Sequence, residues 1–323
     1  MLYPKERKRV VSSPWARYHT HSTMMSINDE FASYHRKLFG REYDEFIGSL
    51  RYAPKSSVRV NTLKTSVEKV EKVLYKNRVE SAPIPWCQDG LWIDGEVSNL
   101  VEHQLGFYYI QDAVSMIPSL ALEPTAEDEV LDLCAAPGSK TTHIAALMQN
   151  QGLLVANEQD YRRIQALVYN IQRCGVSNAV LTRQDGMKFS QFKEKFDKIL
   201  VDAPCSDVGR AMTSRDVLRD WSMGRVLRLS AVQKKLVSEA YKCLKEGGIL
   251  VYSTCTTSLE ENEQVVEHLL NEFKDAQVER IKMNGLRSKK GLTDRTFDCI
   301  RILPHFNNTG GYFIAKIRKN KAW

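Results

Sequence analysis

The chain has 323 residues, of which 43% are hydrophobic and 26% are charged, and its formal net charge is +7. This length is sufficient for a catalytic domain of roughly 200 residues and a smaller companion. No apolar run reaches the roughly 18 residues that a membrane span requires. The basic segment 1–9 lacks the apolar core of a secretory signal. We therefore expect a cytoplasmic protein that does not associate with membranes.

The cysteines do not form a recognisable framework. They are odd in number, scattered, and never arranged as C-x-x-C, so they indicate neither a disulfide scaffold nor a zinc site, and we expect no metal. An isolated cysteine is usually a buried, inert thiol. We expect that of Cys87, Cys174, Cys243 and Cys299, whereas Cys134, Cys205 and Cys255 are considered below.

The excess of positive charge lies at the C-terminal end. Residues 281–323 hold ten Lys or Arg against two Asp or Glu, whereas the rest of the chain is nearly neutral. Such an asymmetry suits a polyanion such as nucleic acid, although on charge alone a solvated basic tail explains it equally well. If nucleic acid is the partner, we expect phosphate contacts from Arg287, Lys289, Lys290, Arg295 and Arg318.

The first hundred residues predict a small α+β domain. Residues 1–25 show no periodicity, and we interpret them as a flexible N-terminal segment. Residues 26–105 combine an amphipathic helical pattern over 28–50 with strand-like runs at 58–63 and 86–93. The segment 107–122 then predicts a helix that leads into a second domain, for which we expect the bounds 106–323.

From residue 129 apolar strands alternate regularly with amphipathic helices. Two final strands are joined by a hairpin-like connection. The fold class is therefore α/β, with a doubly wound, Rossmann-like sheet of seven strands, six parallel and one antiparallel. The predicted strands are 130–133, 153–156, 179–182, 199–201, 249–253, 299–303 and 312–317.

Candidate site residues stand at the predicted carboxyl ends of these strands, where doubly wound sheets bind ligands. The first strand-to-helix turn, 134–140, contains small residues that would let a ligand approach the backbone, but it matches neither the dinucleotide nor the P-loop spacing. Glu158 and Asp185 end the next two strands, where they could bind ribose hydroxyls and an adenine amino group. Each acid alone is more simply a helix cap. The turn and the two acids follow three consecutive strands, however, and together they favour a nucleoside site.

Two thiols follow the fourth and fifth strands. Cys205 ends the segment Asp202-Ala203-Pro204-Cys205, and Cys255 ends Ser253-Thr254-Cys255. Buried strands of this kind belong to parallel sheets whose carboxyl ends open on to one crevice. We therefore expect both thiols to face the same pocket.

These motifs resemble those of the NOP2/Sun family of RNA (cytosine-5) methyltransferases. The resemblance covers nearly the whole chain from about residue 28. It implies a class I methyltransferase domain and an N-terminal domain of the RNA-recognition type. It also implies S-adenosylmethionine as cofactor and methyl transfer to C5 of a cytosine in tRNA or rRNA. The resemblance is carried by 134–141, 202–206, 252–255 and 260–263, and further by 58–64, 109–112, 301–305 and 310–313.

The resemblance also implies roles for individual residues. Cys255 would be the nucleophile that adds to C6 of the cytosine, and Cys205 would assist product release. A thiolate added at C6 activates C5 for methylation, and Asp202 could hydrogen-bond the ring. Because only a thiolate is competent, we expect an electropositive setting for Cys255, to which Lys140 would contribute. The implied pocket for cofactor and base consists of Cys134, Ala135, Ala136, Pro137, Gly138, Lys140, Glu158, Arg163, Asp185 and Asp202.

One residue departs from the family pattern. The family usually has Gly after the Ser of the fourth-strand motif, whereas Asp207 follows Ser206 in this sequence. A negative charge is unfavourable near an RNA path. We expect Arg210 and Arg215 to offset it.

Two other functions remain open at this stage. A non-catalytic RNA-binding or ribosome-assembly protein could keep the fold, although the presence of both thiols, Lys140, Asp185 and Asp202 argues against it. A DNA cytosine methyltransferase would use the Pro-Cys thiol as its nucleophile and would not need the Thr-Cys thiol. The sequence does not distinguish tRNA from rRNA, and we expect a monomer.

Overall fold

The computed structural model of the protein describes residues 27–321, so the predicted segment 1–25 lies outside the described residues. Within this range no helix has the length and apolar character needed to cross a membrane. The α-helices are α1 (Asp29–Phe39), α2 (Tyr43–Ser49), α3 (Val67–Lys76), α4 (Val101–Gln104), α5 (Ile117–Leu122), α6 (Ser139–Leu147), α7 (Tyr161–Cys174), α8 (Asp216–Asp220), α9 (Met223–Cys243), α10 (Glu263–Glu272) and α11 (Pro304–Asn307).

The strands form two sheets. Short 3₁₀ turns occur at Gly40–Glu42, Ala113–Met116, Gly186–Phe192, Val208–Arg210 and Asp294–Thr296. The strands are β1 (Ser57–Val60), β2 (Glu80–Ile84), β3 (Cys87–Asp94), β4 (Tyr108–Ile110), β5 (Glu129–Asp132), β6 (Leu153–Asn157), β7 (Ala179–Thr182), β8 (Phe196–Asp202), β9 (Leu244–Thr254), β10 (Ala276–Glu279), β11 (Lys289–Lys290), β12 (Ile300–Ile302) and β13 (Tyr312–Lys319).

The smaller sheet is antiparallel and has the strand order β2-β3-β1-β4. Helix α3 packs on it because Val70 and Leu74, four residues apart on one helix face, meet Val58 and Val60 of β1. The helix predicted over 107–122 is wrong in its first part. Residues 108–110 are strand β4, which pairs with β1. The pairing of β4 with β1 has overridden the local helical pattern. Strand β4 also lies beyond residue 105, where we placed the domain boundary.

The larger sheet confirms the predicted Rossmann-like architecture. Strands β5 to β9 are mutually parallel, in the order β9-β8-β5-β6-β7. Strand β13 runs antiparallel to β9, and its other edge pairs with β10 and β12, both antiparallel to β13. Strands β10 and β12 therefore run in the direction of β5 to β9, whereas β11, which is antiparallel to β12, runs with β13. The seven predicted strands are β5 to β9, β12 and β13, of which six run in one direction and β13 in the other, as predicted. Two short strands that were not predicted as such, β10 and β11, bring the total to nine in the described sheet.

The central strands are buried on both faces, as their apolar sequences predict. Because side chains alternate along a strand, Ile199 and Val201 of β8 face a core formed with α9 and α10. Leu200 faces a second core, formed with α5 and α6. This double packing fixes the register of the strands, so their carboxyl ends meet at one edge of the sheet.

Helices α1 and α2 do not join the small sheet's core. Phe31 and Phe46 pack instead against Val208, Met212 and Trp221, in the segment that follows β8. The N-terminal helices thus support the loop that carries the fourth-strand motif.

Candidate functional site

A cleft of about 1410 Å³ opens at the carboxyl ends of the parallel strands. Ala135 and Gly138 are the predicted site residues that do not line it. Ala135 is buried, and Gly138 lies at the start of α6. The predicted site residues that line the cleft are Cys134, Ala136, Pro137, Lys140, Glu158, Arg163, Asp185, Asp202, Cys205 and Cys255.

The structure brings the two thiols of the paired motifs together. Sγ of Cys205 lies 3.2 Å from Sγ of Cys255. The parallel register of β8 and β9, which places Asp202 opposite Ser253, positions them. The backbone N–H of Ala203 extends this pairing by donating to the carbonyl of Ser253 at 3.0 Å.

Lys140 and Asp202 form a buried ion pair beside the thiols. Nζ of Lys140 lies 2.7 Å from Oδ2 of Asp202, and it also hydrogen-bonds Ser115 Oγ and Tyr312 Oη, each at 3.0 Å. Ser253 Oγ donates to Oδ1 of Asp202 at 2.7 Å. Burial is the largest single effect and disfavours the charged lysine, but Asp202 and Tyr312 together outweigh it and raise the pKa of Lys140. Asp202 is thereby held in one orientation at the cleft wall.

We expected an electropositive setting around Cys255, and this expectation is wrong. Its thiol lies against Cys205 and donates to Oδ1 of Asp207 at 3.1 Å. The hydrogen bond with Cys205 and burial, followed by the charges of Cys205 and Asp207, raise the pKa of Cys255 well above its usual value. Lys140 does not compensate, because its charge is paired with Asp202. In the free protein, therefore, Cys255 is a protonated thiol.

The turn at 134–138 is held from behind by α7. Arg163 donates to the carbonyl of Ala136 at 2.8 Å. Gly138 has φ 107°, a conformation that favours glycine, and a Cβ there would lie 3.1 Å from Leu167 Cδ1. Burial, followed by the charge of Asp132, raises the pKa of Cys134, so this sulfur is an inert part of the wall.

The two acids at the ends of β6 and β7 lie on the same side of the cleft. Glu158 is buried, and its Oε1 accepts from the N–H of Asp160 at 2.9 Å. Its Oε2 lies 3.2 Å from Arg163 but accepts no hydrogen bond from any described residue. Asp185 accepts from the N–H of Met187 through Oδ1 alone at 3.0 Å. A buried carboxylate oxygen without a donor is where a ligand hydroxyl would be stabilised.

Several site residues were not identified from the sequence. Ser115 and Tyr312 complete the hydrogen bonds of Lys140; Tyr312 lies in a motif that carried the family resemblance, whereas nothing marked Ser115. Glu261, also in such a motif, accepts hydrogen bonds from the Ser206 N–H at 2.9 Å and from Gln233 at 3.0 Å. These contacts fix the loop after Cys205.

Close backbone packing also holds this loop. The N–H of Gly209 donates to the carbonyl of Cys255 at 2.8 Å, and the N–H of Gly311 donates to the carbonyl of Gly209 at 3.0 Å. A Cβ on Gly209 would lie 2.0 Å from the carbonyl oxygen of Gly311. Only a residue without a side chain fits here, which is not apparent from the sequence.

Cys205, Asp207 and Cys255 are also a donor set that could hold a thiophilic metal, since their ligand atoms lie within 4.8 Å of one another. We still predict that the functional site holds no metal, and the structure does not test this prediction. Arg225 of α9 lies 3.9 Å from Asp207, a cation that we did not predict there. That Arg210 and Arg215 offset the charge of Asp207 stays a prediction.

The basic residues that were predicted to contact phosphate fall into two groups. Lys289 of β11 lies opposite Arg301 of β12, and Arg301 in turn lies opposite Phe313, near the start of β13. The start of β13 pairs with the end of β9, so Lys289 belongs to the end of the sheet at which the cleft opens. Lys289 already forms an ion pair with Glu42. Arg318 lies opposite Ile249, five residues before Thr254 at the cleft end of β9, and forms an ion pair with Glu279 of β10. The phosphate contact expected of Arg318 stays a prediction, for a residue whose charge is already paired. The exposed residues Arg287, Lys290 and Arg295 are near Lys289 in sequence.

The sequence matches two families of known proteins. Residues 119–318 match 16S rRNA methyltransferase RsmB/F, and residues 27–113 match the N-terminal domain of 16S rRNA methyltransferase RsmF. Ribosomal RNA small subunit methyltransferase F of Vibrio parahaemolyticus is 45% identical over 289 residues, which cover 86% of this chain and 60% of that protein. The chain thus spans less than two thirds of the length of this curated relative.

Solved structures agree with the sequence matches. A methyltransferase homolog protein from Pyrococcus horikoshii has a TM-score of 0.81 and 32% identity, covering 91% of this chain and 96% of that one. The crystal structure of NSun6 from Pyrococcus horikoshii with SFG has a TM-score of 0.85 and 26% identity, covering 93% of this chain and all of that one. The predicted resemblance is confirmed, and the chain belongs to the RsmB/F family of 16S rRNA methyltransferases.

Proposed function

We propose that this protein uses S-adenosylmethionine to methylate C5 of a cytosine in ribosomal RNA, with Cys255 as the nucleophile. The observation that carries the proposal is the 3.2 Å approach of the Cys205 and Cys255 sulfur atoms in a cleft beside a fixed carboxylate, Asp202. Ribosomal RNA is supported as the substrate class by the family matches and by the Vibrio relative.

The cleft fits S-adenosylmethionine. The buried Oε2 of Glu158 accepts no hydrogen bond from the described residues 27–321 and would accept from ribose hydroxyls, while Asp185 has one oxygen outside its turn for an adenine amino group. The turn at 134–138 offers small side chains that allow close approach. SFG, present in the crystal structure of the Pyrococcus NSun6, is an analogue of this cofactor. When bound, the cofactor supplies a methyl group on a positively charged sulfur.

The chemistry at the base is assigned to the cysteines. Cys255 would give up its thiol proton, which the ring takes at N3 as the thiolate bonds to C6. The electron pair of the C5–C6 double bond would then form the bond to the methyl carbon, while the pair of the broken methyl–sulfur bond would leave with the sulfur of the cofactor. Transfer of the C5 proton to water would restore the double bond and expel the Cys255 thiolate, which would take back the N3 proton. The sulfur of Cys205, 3.2 Å from that of Cys255, supports a role for Cys205 in product release, because it would lie close to the C6–sulfur bond as that bond breaks.

Asp202 orients the ring for this attack. Its carboxylate, held by Lys140 and Ser253, would accept a hydrogen bond from the exocyclic amine and, once N3 has taken up a proton during the addition, from the N3–H as well. The target base must leave its stack to reach the cleft, as for other enzymes that act on base atoms.

The test is methyl transfer from labelled S-adenosylmethionine to 16S rRNA, small ribosomal subunits and tRNA, with the modified nucleoside identified by mass spectrometry. We expect 5-methylcytosine in rRNA from the unaltered protein and from the control Cys174→Ala, and none from Cys255→Ala. Transfer to none of these RNAs would favour the non-catalytic alternative. Activity that survives Cys255→Ala and is lost in Cys205→Ala would assign the nucleophile to the other thiol, as in the DNA enzymes. Transfer to tRNA alone would overturn the substrate class.

A further inference from the structure

Asp207, which stands where the family pattern has Gly, points into the thiol pair. Its backbone is left-handed, with φ 62°, a conformation in which Asp and Asn are tolerated better than most side chains. Although it precedes the 3₁₀ turn Val208–Arg210, its side chain does not cap that turn. Oδ1 instead accepts from Cys255 at 3.1 Å and lies 3.9 Å from Sγ of Cys205.

The other charged groups around Cys255 do not cancel this carboxylate. Lys140 of α6 is paired with Asp202, and Tyr312 of β13 is neutral and hydrogen-bonded to Lys140. Arg225 of α9 faces Asp207, but at 3.9 Å between Nη2 and Oδ2 and with both side chains more than a third exposed. Solvent screens a contact of this kind. The thiol of Cys255 therefore meets an anion at hydrogen-bond distance, while the facing cation stands further off.

We propose that Asp207 is a positioning residue that restrains the nucleophile: its carboxylate holds the Cys255 thiol protonated and in a fixed orientation in the RNA-free protein. The inference deepens the function proposed above for Cys255. A thiolate beside a carboxylate is disfavoured by like charge, so Cys255 becomes reactive when Asp207 turns away from it or is neutralised. Arg225 is the group placed to do this, because closing its 3.9 Å gap would bring the guanidinium into hydrogen-bond contact with the carboxylate.

The experiment measures the reactivity of Cys255 directly, without RNA or cofactor. The full chain and the variants Asp207→Asn and Asp207→Gly are alkylated with iodoacetamide between pH 7 and pH 11, and the Cys255 peptide is quantified by mass spectrometry. Asn keeps the shape and the left-handed backbone but removes the charge, and Gly restores the family residue. We expect the midpoint of the pH dependence to fall by about one unit or more in both variants, which is about a tenfold faster reaction near neutral pH.

An unchanged midpoint in Asp207→Asn, with thermal unfolding like that of the unaltered protein, would overturn the proposal. A shift seen only in Asp207→Gly would also overturn it, because a change of loop shape and not the charge would then be responsible. The outcome is independent of methyl transfer. Absence of transfer to any RNA would refute the proposed function, yet the alkylation profile would still show whether Asp207 restrains Cys255.

Discussion

Replacing Gly209 by Ala tests whether the loop of the fourth-strand motif is held as the structure describes. Gly209 does not need a left-handed backbone, so the only obstacle to a side chain is space. A Cβ would lie 2.0, 2.7 and 2.8 Å from the O, C and N atoms of Gly311, all of them backbone. Because no flexible side chain can move aside, the two segments must separate.

The cost follows from the contacts that separation breaks. The hydrogen bonds from Gly209 to Cys255 and from Gly311 to Gly209, at 2.8 and 3.0 Å, contribute about 1 kcal/mol each. Overpacking adds about 1–3 kcal/mol. We therefore expect Gly209→Ala to lower the free energy of unfolding by about 3–5 kcal/mol, if the loop does not find another packed arrangement.

The assay is urea unfolding followed by tryptophan fluorescence. The matched control is Gly224→Ala, in helix α9, where a Cβ would meet only the flexible end of Arg228 at 3.6 Å. That substitution should leave stability unchanged or raise it by up to about 1 kcal/mol, because alanine favours helix. If the two variants unfold at the same urea concentration, the described packing of Gly209 against Gly311 is wrong.

Two further predictions concern buried charges. Arg301→Met should lower the free energy of unfolding by about 3–5 kcal/mol in the same urea assay. The substitution leaves the fully buried carboxylate of Glu263, to which Arg301 donates at 2.6 Å, without its cation. A loss below about 1 kcal/mol would contradict this. Burial raises the pKa of Asp132 to about 7, although Thr141 donates to it. The stability that this raised pKa contributes is complete below about pH 4 and is lost as pH rises through about 7. Asp132→Asn should therefore gain stability over the unaltered protein between pH 5 and pH 8, and a pH-independent difference would refute the assignment.

The sequence was sufficient to predict the central sheet and the meeting of the two thiols. Runs such as 199–201 and 249–251, each Ile-Leu-Val, are apolar throughout, which is typical of parallel strands buried on both faces. Since such strands end at one edge, Cys205 and Cys255 had to approach each other. The short strands β4 and β10 were missed because they are held by pairing with β1 and β13, partners that lie far away in sequence.

The electrostatics of the cleft could not be predicted in the same way. Lys140 was correctly placed near the strand ends, but its charge is paired with Asp202, 62 positions later, at 2.7 Å. The sequence shows that Asp207 replaces a Gly, yet only the backbone angles of the loop show that its carboxylate turns to Cys255. Distances of 3 to 4 Å between side chains on different elements decide the charge of the nucleophile.

The most direct test of the two-cysteine chemistry is to trap the covalent intermediate. Cys205→Ala, incubated with S-adenosylmethionine and small-subunit rRNA, should accumulate an RNA–protein adduct that survives a denaturing gel and that peptide mass spectrometry assigns to Cys255. The double variant Cys205→Ala/Cys255→Ala should give no adduct. An adduct that persists in the double variant, or the absence of any adduct from a Cys205→Ala protein that still methylates RNA normally, would contradict the proposed roles of the two thiols.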